Sequence, residues 1–156
     1  MMTITNAKSL KTGIRDICLK ALQQKANDLQ AELGQLRDGI ANESKSSMGD
    51  KYETTREMMQ QEINRVQSQL AGVAQQLFAL NAINFERECT FAEKGALIES
   101  SQGCFLIAIA YGAVKSKGVN CFVISDVAPL AKLLLQKQAG DGLTFNGKAL
   151  KIFNVY

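Results

Sequence analysis

The chain has 156 residues, 46% of them hydrophobic and 21% charged, with one proline, no tryptophan, no histidine and a formal net charge of +3. That composition excludes a disordered or low-complexity protein, and the near balance of charge excludes strong binding to free nucleic acid by bulk attraction. The balance holds along the chain, with ten basic against nine acidic residues over 1–80 and eight against six over 81–156.

From Leu22 the apolar positions run Leu22, Ala26, Leu29, Leu33, Leu36 and Ile40, in steps of four and three. After a polar break, Met59, Ile63, Val66, Leu70, Val73 and Leu77 repeat the rhythm, and each series is the seam of a coiled coil. The two are mirror images: 22 pairs with 77, 26 with 73, 29 with 70, and so on to 40 with 59, every pair adding to 99. This is the arithmetic of an antiparallel helical hairpin over residues 1–80 with its bend near 43–50. Ile14, Ile17 and Ala21 extend the first seam toward the N-terminus, so the first helix is expected to begin before Leu10 and the second to reach about Leu80. At ~1.5 Å per residue, an arm of about thirty residues reaches on the order of 45 Å. Its Gln, Lys, Glu and Asp residues suit an outer face that stays wet. Taken by itself, such a hairpin is a non-enzymatic interaction element that dimerises or binds a helical partner.

The bend carries the stretch Ser46-Ser47-Met48-Gly49-Asp50-Lys51-Tyr52-Glu53-Thr54. Asp50, three positions before Glu53, has the form of an N-cap followed by an acidic third residue at the positive end of the second helix. Capping is the local reading of both. Lys45 and Lys51 add positive charge to the same turn, and their local reading is solvated lysines.

Residues 81–93 form a linker, after which the helical period gives way to short segments bounded by turn residues. "GALIES", "GCFLIAIAYG" and "VNCFVIS" read as strands, and "APLAKLLLQK" as a short helix with Asp126 as a candidate N-cap and Pro129 in the first turn. "LTFNGKALKIFNVY" is a hairpin around Asn146-Gly147, which suits a type I′ turn and sets Leu143 opposite Leu150 and Phe145 opposite Lys148. The expected fold class is α+β: an N-terminal coiled-coil hairpin, then a small antiparallel sheet domain over 94–156 with one short helix across it.

The four cysteines, Cys18, Cys89, Cys104 and Cys121, are dispersed, form no CxxC pair and have no histidine to assist them. Zinc sites and Cys-His nucleophiles are therefore disfavoured. With no nucleophile-base pair and no phosphate loop either, the chain is read as a non-enzyme. The absence of a signal-like start points to reduced thiols in the cytoplasm. The longest apolar run, "CFLIAIAYGAV", is too short to span a bilayer as a helix, so no membrane role is expected.

Hairpin and sheet together resemble the Gre family of bacterial transcription elongation and transcript cleavage factors over most of the chain. The run "VISDVAPLAKLLLQKQAGDGLTF" is similar to the family's Ser-Pro-Ile-Ala-Arg-Ala-Leu-(Leu/Ile)-Gly-Lys-x-x-Gly-Asp segment, with Pro129, Leu130, Ala131, Lys132, Leu134, Lys137, Gly140 and Asp141 in matching places. Gly95-Ala96-Leu97-Ile98 resembles the glycine-led first strand of the family's C-terminal domain. Tyr52, Arg56 and Glu57 match its Tyr-x-x-x-Arg-Glu pattern just after the tip.

The resemblance implies a C-terminal domain folded like an FK506-binding protein, docked at the rim of RNA polymerase's secondary channel through Asp126, Pro129 and Leu130. It implies a hairpin inserted in the channel, no intrinsic cofactor, and indirect contact with nascent RNA. In the family, two acidic tip residues help hold a second Mg²⁺ in the polymerase's own active site, where hard oxygen ligands and an activated water hydrolyse the backtracked transcript. Counted back from Tyr52, those two places hold Lys45 and Met48, which argues against stimulated cleavage. The nearest acidic groups are Glu43, Asp50 and Glu53. A remodelled tip would present Asp50 with Glu43 or Glu53 to Mg²⁺ in a polymerase complex, while Lys45 or Lys51 would meet carboxylate or nucleotide and modulate the channel.

Overall fold

The computed structural model describes residues 6–43 and 50–156. Two compact units emerge, one formed by Ala21–Leu77 and one by the chain up to Lys20 together with Phe78–Tyr156.

The first unit is made of the greater part of the long helices α1 (Ala7–Glu43) and α2 (Asp50–Asn81), from Ala21 on α1 to Leu77 on α2. No proline interrupts either, and their apolar residues fall on one stripe each. Leu22, Leu29, Leu33, Ile63, Val66 and Val73 are buried, and Ala26, Leu36, Ile40, Met59, Leu70 and Leu77 are half-buried, so every expected seam position faces inward. The antiparallel register is visible in two cross-helix contacts. Arg65 Nη2 lies 3.1 Å from Glu32 Oε1, and a Cβ on Gly39 would sit 3.3 Å from Met59 Cε. As the residue number rises on α1 it falls on α2. The helices begin and end within a few residues of where their periodicity places them.

The second unit is a six-stranded mixed sheet in the order β3-β4-β2-β1-β6-β5, with strands β1 (Leu97–Ser100), β2 (Gly103–Ala108), β3 (Gly112–Ser116), β4 (Val119–Ser125), β5 (Gly142–Phe145) and β6 (Lys148–Val155). The helix α3 (Pro129–Leu134) packs Leu130, Ala131 and Leu134 inward. With Ala92, Ile98, Phe105, Ile107, Leu150 and Ile152, Leu130 and Leu134 form the core on one face of the sheet. Strand residues of the opposite parity, Leu97, Leu106, Cys121 and Val123, are equally buried, as are Leu10, Ile14 and Cys18 at the base of α1. The central strands are thus covered on both faces, while on the β3–β4 edge Phe122 stays 52% exposed. The α+β class holds.

Three details depart from the expectation. The sheet is not antiparallel throughout: β2 and β4 run parallel, with Cys104 beside Cys121 and Ala108 beside Ser125. The cause is β3, left without a strand assignment between "GCFLIAIAYG" and "VNCFVIS", which takes the edge while β4 folds back between it and β2. At the base of α1, Ile17 is 38% exposed and Ala21 is exposed, whereas Leu10, Lys11, Ile14 and Cys18 are buried. There α1 meets a sheet, which takes a different stripe of the helix. Residues 81–93 are also tied down, because Phe85, Cys89 and Ala92 are buried and Phe91 bridges to Gln138.

The Asn146-Gly147 turn is as expected, with φ of 50° and 77°, and it sets Leu143 against Leu150 and Phe145 against Lys148. Gly95 has a structural need for its missing side chain: at φ 96° a Cβ would meet Ile83 Cγ2 at 3.1 Å and the Asn84 oxygen at 3.3 Å. Among the described residues, no helix is long and apolar enough to cross a membrane.

Candidate functional site

The hairpin end is bounded by Glu43, the last residue of α1, and Asp50, the first of α2. Lys45 and the rest of 44–49 lie outside the described residues, as do the side chains of Glu43, Asp50, Lys51 and Tyr52. Asp50 occupies the helix start, where unsatisfied N–H groups and the macrodipole favour a carboxylate. Glu53, Arg56, Glu57 and Met58 follow and are exposed, Met58 at 64%. Positions 50, 53 and 57 are spaced by three and four, so three carboxylate residues share one face of the first two turns of α2. Farther along, the Arg65 guanidinium sits 2.8 Å from Glu62 and holds that carboxyl below its usual range. Among the described residues, no cluster of histidine, cysteine or acidic side chains is arranged to hold a metal by itself.

The second candidate segment precedes α3. Asp126 does not cap the helix. The N-cap is Ala128, in extended conformation at φ −63° and ψ 147°, with no side-chain hydrogen bond. Pro129 at the first helical position needs no N–H partner, which relieves the demand for a capping oxygen. The Asp126 carboxylate instead lies 3.4 Å from Lys94 Nζ. Pro129 is exposed and Val127 is 68% exposed, whereas Leu130 is 9% exposed and anchors α3 to the sheet. The structure therefore leaves Asp126, Val127 and Pro129 on the surface and commits Leu130 to the core.

Sequence reasoning missed Lys11. Its side chain is 2% exposed, and Nζ donates to the main-chain oxygens of Arg87 at 2.9 Å and Tyr156 at 3.2 Å. Burial pushes its pKa down, and the nearby Cys89, Glu88 and Glu93 only partly oppose that. The clamp joins the base of α1 to the segment before the sheet and to the end of β6. A signal existed, since Lys11 stands three residues before Ile14 and seven before Cys18, on the buried stripe. Burial raises all four thiols, Cys18 to about 11 and Cys121 to about 12, and all are free.

No family model matches the chain, and no curated protein matches it. Among solved structures, one described as "Structure of the transcription factor Gfh1" is 18% identical with a TM-score of 0.34, covering 88% of this chain and 92% of that one. A likeness at that score carries no argument about function.

Proposed function

We propose that the chain is a Gre-like transcription factor of the cytoplasm that binds RNA polymerase at its secondary channel, with the α1–α2 hairpin entering the channel. The reading is supported by one observation above the others: two long helices with a buried mirrored seam carry an outer face that is polar apart from Met58 and Phe78, with Tyr52, Arg56 and Glu57 in the first turns of α2. A thin, solvated helical pair is the form that a pore admits. The Pro129–Asp141 run in the sheet unit adds the residues that match the family's docking segment, with Asp126 and Pro129 as the surface contacts.

In this reading the chain supplies no catalytic centre. Any Mg²⁺ belongs to the polymerase, and Asp50, with Glu53 or Glu43, is the source of oxygen ligands for it. Because Lys45 and Met48 stand in the places of the two expected carboxylates, the factor occupies and modulates the channel more than it promotes cleavage.

The test is binding to core polymerase followed by a transcript-cleavage assay on a stalled elongation complex. The expected result is a complex that a cleavage-stimulating factor displaces, with cleavage near background. Any residual stimulation is expected to fall in Asp50→Asn with docking unchanged. Failure to bind core polymerase would end the proposal.

Met58 and Phe78 of α2, 64% and 79% exposed, favour a second reading in which the helices dimerise or bind a helical partner. Analytical ultracentrifugation separates the two. Tight self-association without polymerase binding selects the second.

A further inference from the structure

One face of the sheet edge is left open, and its chemistry is specific. Phe122 on β4 is 52% exposed although it sits mid-strand, and its ring stacks on Phe105 of β2 with centroids 6.2 Å apart and planes at 29°. The strand register places Ala113 of β3 directly beside Phe122, and Lys115 beside Asn120. Alternation puts Ala113, Lys115, Asn120 and Phe122 on the same face, and all four are exposed. Beyond Phe105 the surface continues into a groove of about 290 Å³, floored by Leu150 and walled by Leu130 and Phe145, with Gln102, Asn146 and Lys148 at its polar side.

The charge around this face is one-signed. Residues 94–156 hold seven lysines, no arginine and only three acidic residues. Each of those acids is engaged. Glu99 is buried and accepts from Asn154 and the Tyr156 hydroxyl, Asp126 faces Lys94, and Asp141 accepts from the Gln138 N–H. Lys115 and Lys148 have no ion pair among the described residues.

We propose that the β3–β4 face around Phe122, continued by the Phe105–Phe145 groove, is a stacking platform for single-stranded nucleic acid. An exposed ring offers a base its π-face whatever the base. Lysines on either side meet the phosphates, and asparagine and glutamine amides lie within the same surface to meet base edges. An apolar protein segment would gain as much from the groove but would not need a solvent-facing ring flanked by unpaired cations. Because the patch is local, it coexists with the near balance of charge over the whole chain. The inference stands apart from the polymerase reading, since it turns on Phe122 and Lys115 and is tested with free oligonucleotide.

The test is fluorescence anisotropy of labelled oligouridylate and oligothymidylate, each of about twelve nucleotides, with the full chain. The expected result is saturable binding with a dissociation constant between about 10⁻⁶ and 10⁻⁴ M. Phe122→Ala is expected to weaken it roughly tenfold while Phe122→Tyr keeps it, because the stacking surface is lost in one and retained in the other. Lys115→Gln is expected to reduce the slope of log affinity against log salt by about 0.7. A crosslink from irradiated oligouridylate, mapped by mass spectrometry to the peptide containing Phe122, supports the site without any variant. Equal binding by wild type and a folded Phe122→Ala overturns the proposal. So does absence of saturable binding up to about 10⁻³ M, well above the non-specific range. If polyglutamate binds as tightly as the oligonucleotides, the face serves an acidic protein, and the proposal falls in that case also.

Discussion

Burial acts on single ionisable groups here in two opposite directions, with a measurable result. The folded chain holds Cys18 at about 11 and Cys121 at about 12, against an ordinary thiol value of 9.0. Above pH 9 the unfolded chain therefore releases protons that the folded one retains, and stability falls as pH rises through that window. Lys11 works the other way. Its folded pKa lies below the ordinary 10.5, so between the two the unfolded chain keeps a proton that the folded one has released, and stability rises with pH. Denaturant midpoints measured from neutral pH upward are expected to fall once pH 9 is passed. The fall should be shallower in Cys18→Ala/Cys121→Ala and steeper in Lys11→Met. An unchanged slope in the cysteine variant would show that these thiols are not its cause. Little of this was legible beforehand. The spacing of Lys11 to Ile14 and Cys18 puts it on their stripe, but a lysine is by type a surface residue, and the stripe itself is identified only once Leu10, Ile14 and Cys18 are seen to be buried.

At the scale of elements, the two-helix unit depends on its seam far more than on its ion pairs. Ile63 is 5% exposed, and Ile63→Ala removes packed methylenes and leaves a cavity, with an expected loss of roughly 2–5 kcal/mol. Arg65 reaches both Glu32 and Glu62, yet all three side chains are 43–51% exposed and screened by water, so Arg65→Ala is expected to cost far less than Ile63→Ala. Thermal melting followed by helical circular dichroism compares the two. Equal losses would contradict a seam-dominated hairpin. The seam was readable because its physics is periodic, and the Asn146-Gly147 hairpin because its residue types answer a particular backbone demand. β3 was not readable. "GAVKS" lacks the aliphatic density that marks a strand, and it becomes one by pairing with β4. The parallel β2–β4 pair was equally hidden, since strand order depends on which edges are free once all strands exist. Asp126 was misread for a related reason: Pro129 makes the capping oxygen unnecessary, and Lys94, more than thirty residues away in sequence, takes the carboxylate.

For the whole molecule, the proposed role turns on two side chains at the hairpin bend. If this hairpin enters a polymerase channel, the scaffold for cleavage is present and only the ligands are changed. Lys45→Asp with Met48→Glu is then expected to raise the cleavage rate in a stalled complex by at least about tenfold, equivalent to about 1.4 kcal/mol of barrier. The readout is transcript shortening at fixed Mg²⁺, with binding measured separately. A double variant that binds polymerase without faster cleavage would show that the bend does not reach the metal. Of the candidate site, the sequence exposed the departure at 45 and 48 but not the open aromatic face at Phe122. One was visible by counting from Tyr52, whereas the other required the register that places Lys115, Asn120 and Phe122 together.

The Lys11 clamp also imposes an order on biosynthesis. Its acceptor on Tyr156 is 145 residues away, and the strands that cover Leu10, Ile14 and Cys18 are translated long after the helical pair is complete. At about 5–20 residues per second, the first turns of α1 wait on the order of 10 s with an apolar stripe and an unclamped ammonium in water. The helical pair is therefore complete well before its own root is secured. A chaperone that recognises that stripe has its opportunity in this interval and loses it when β6 closes over the lysine.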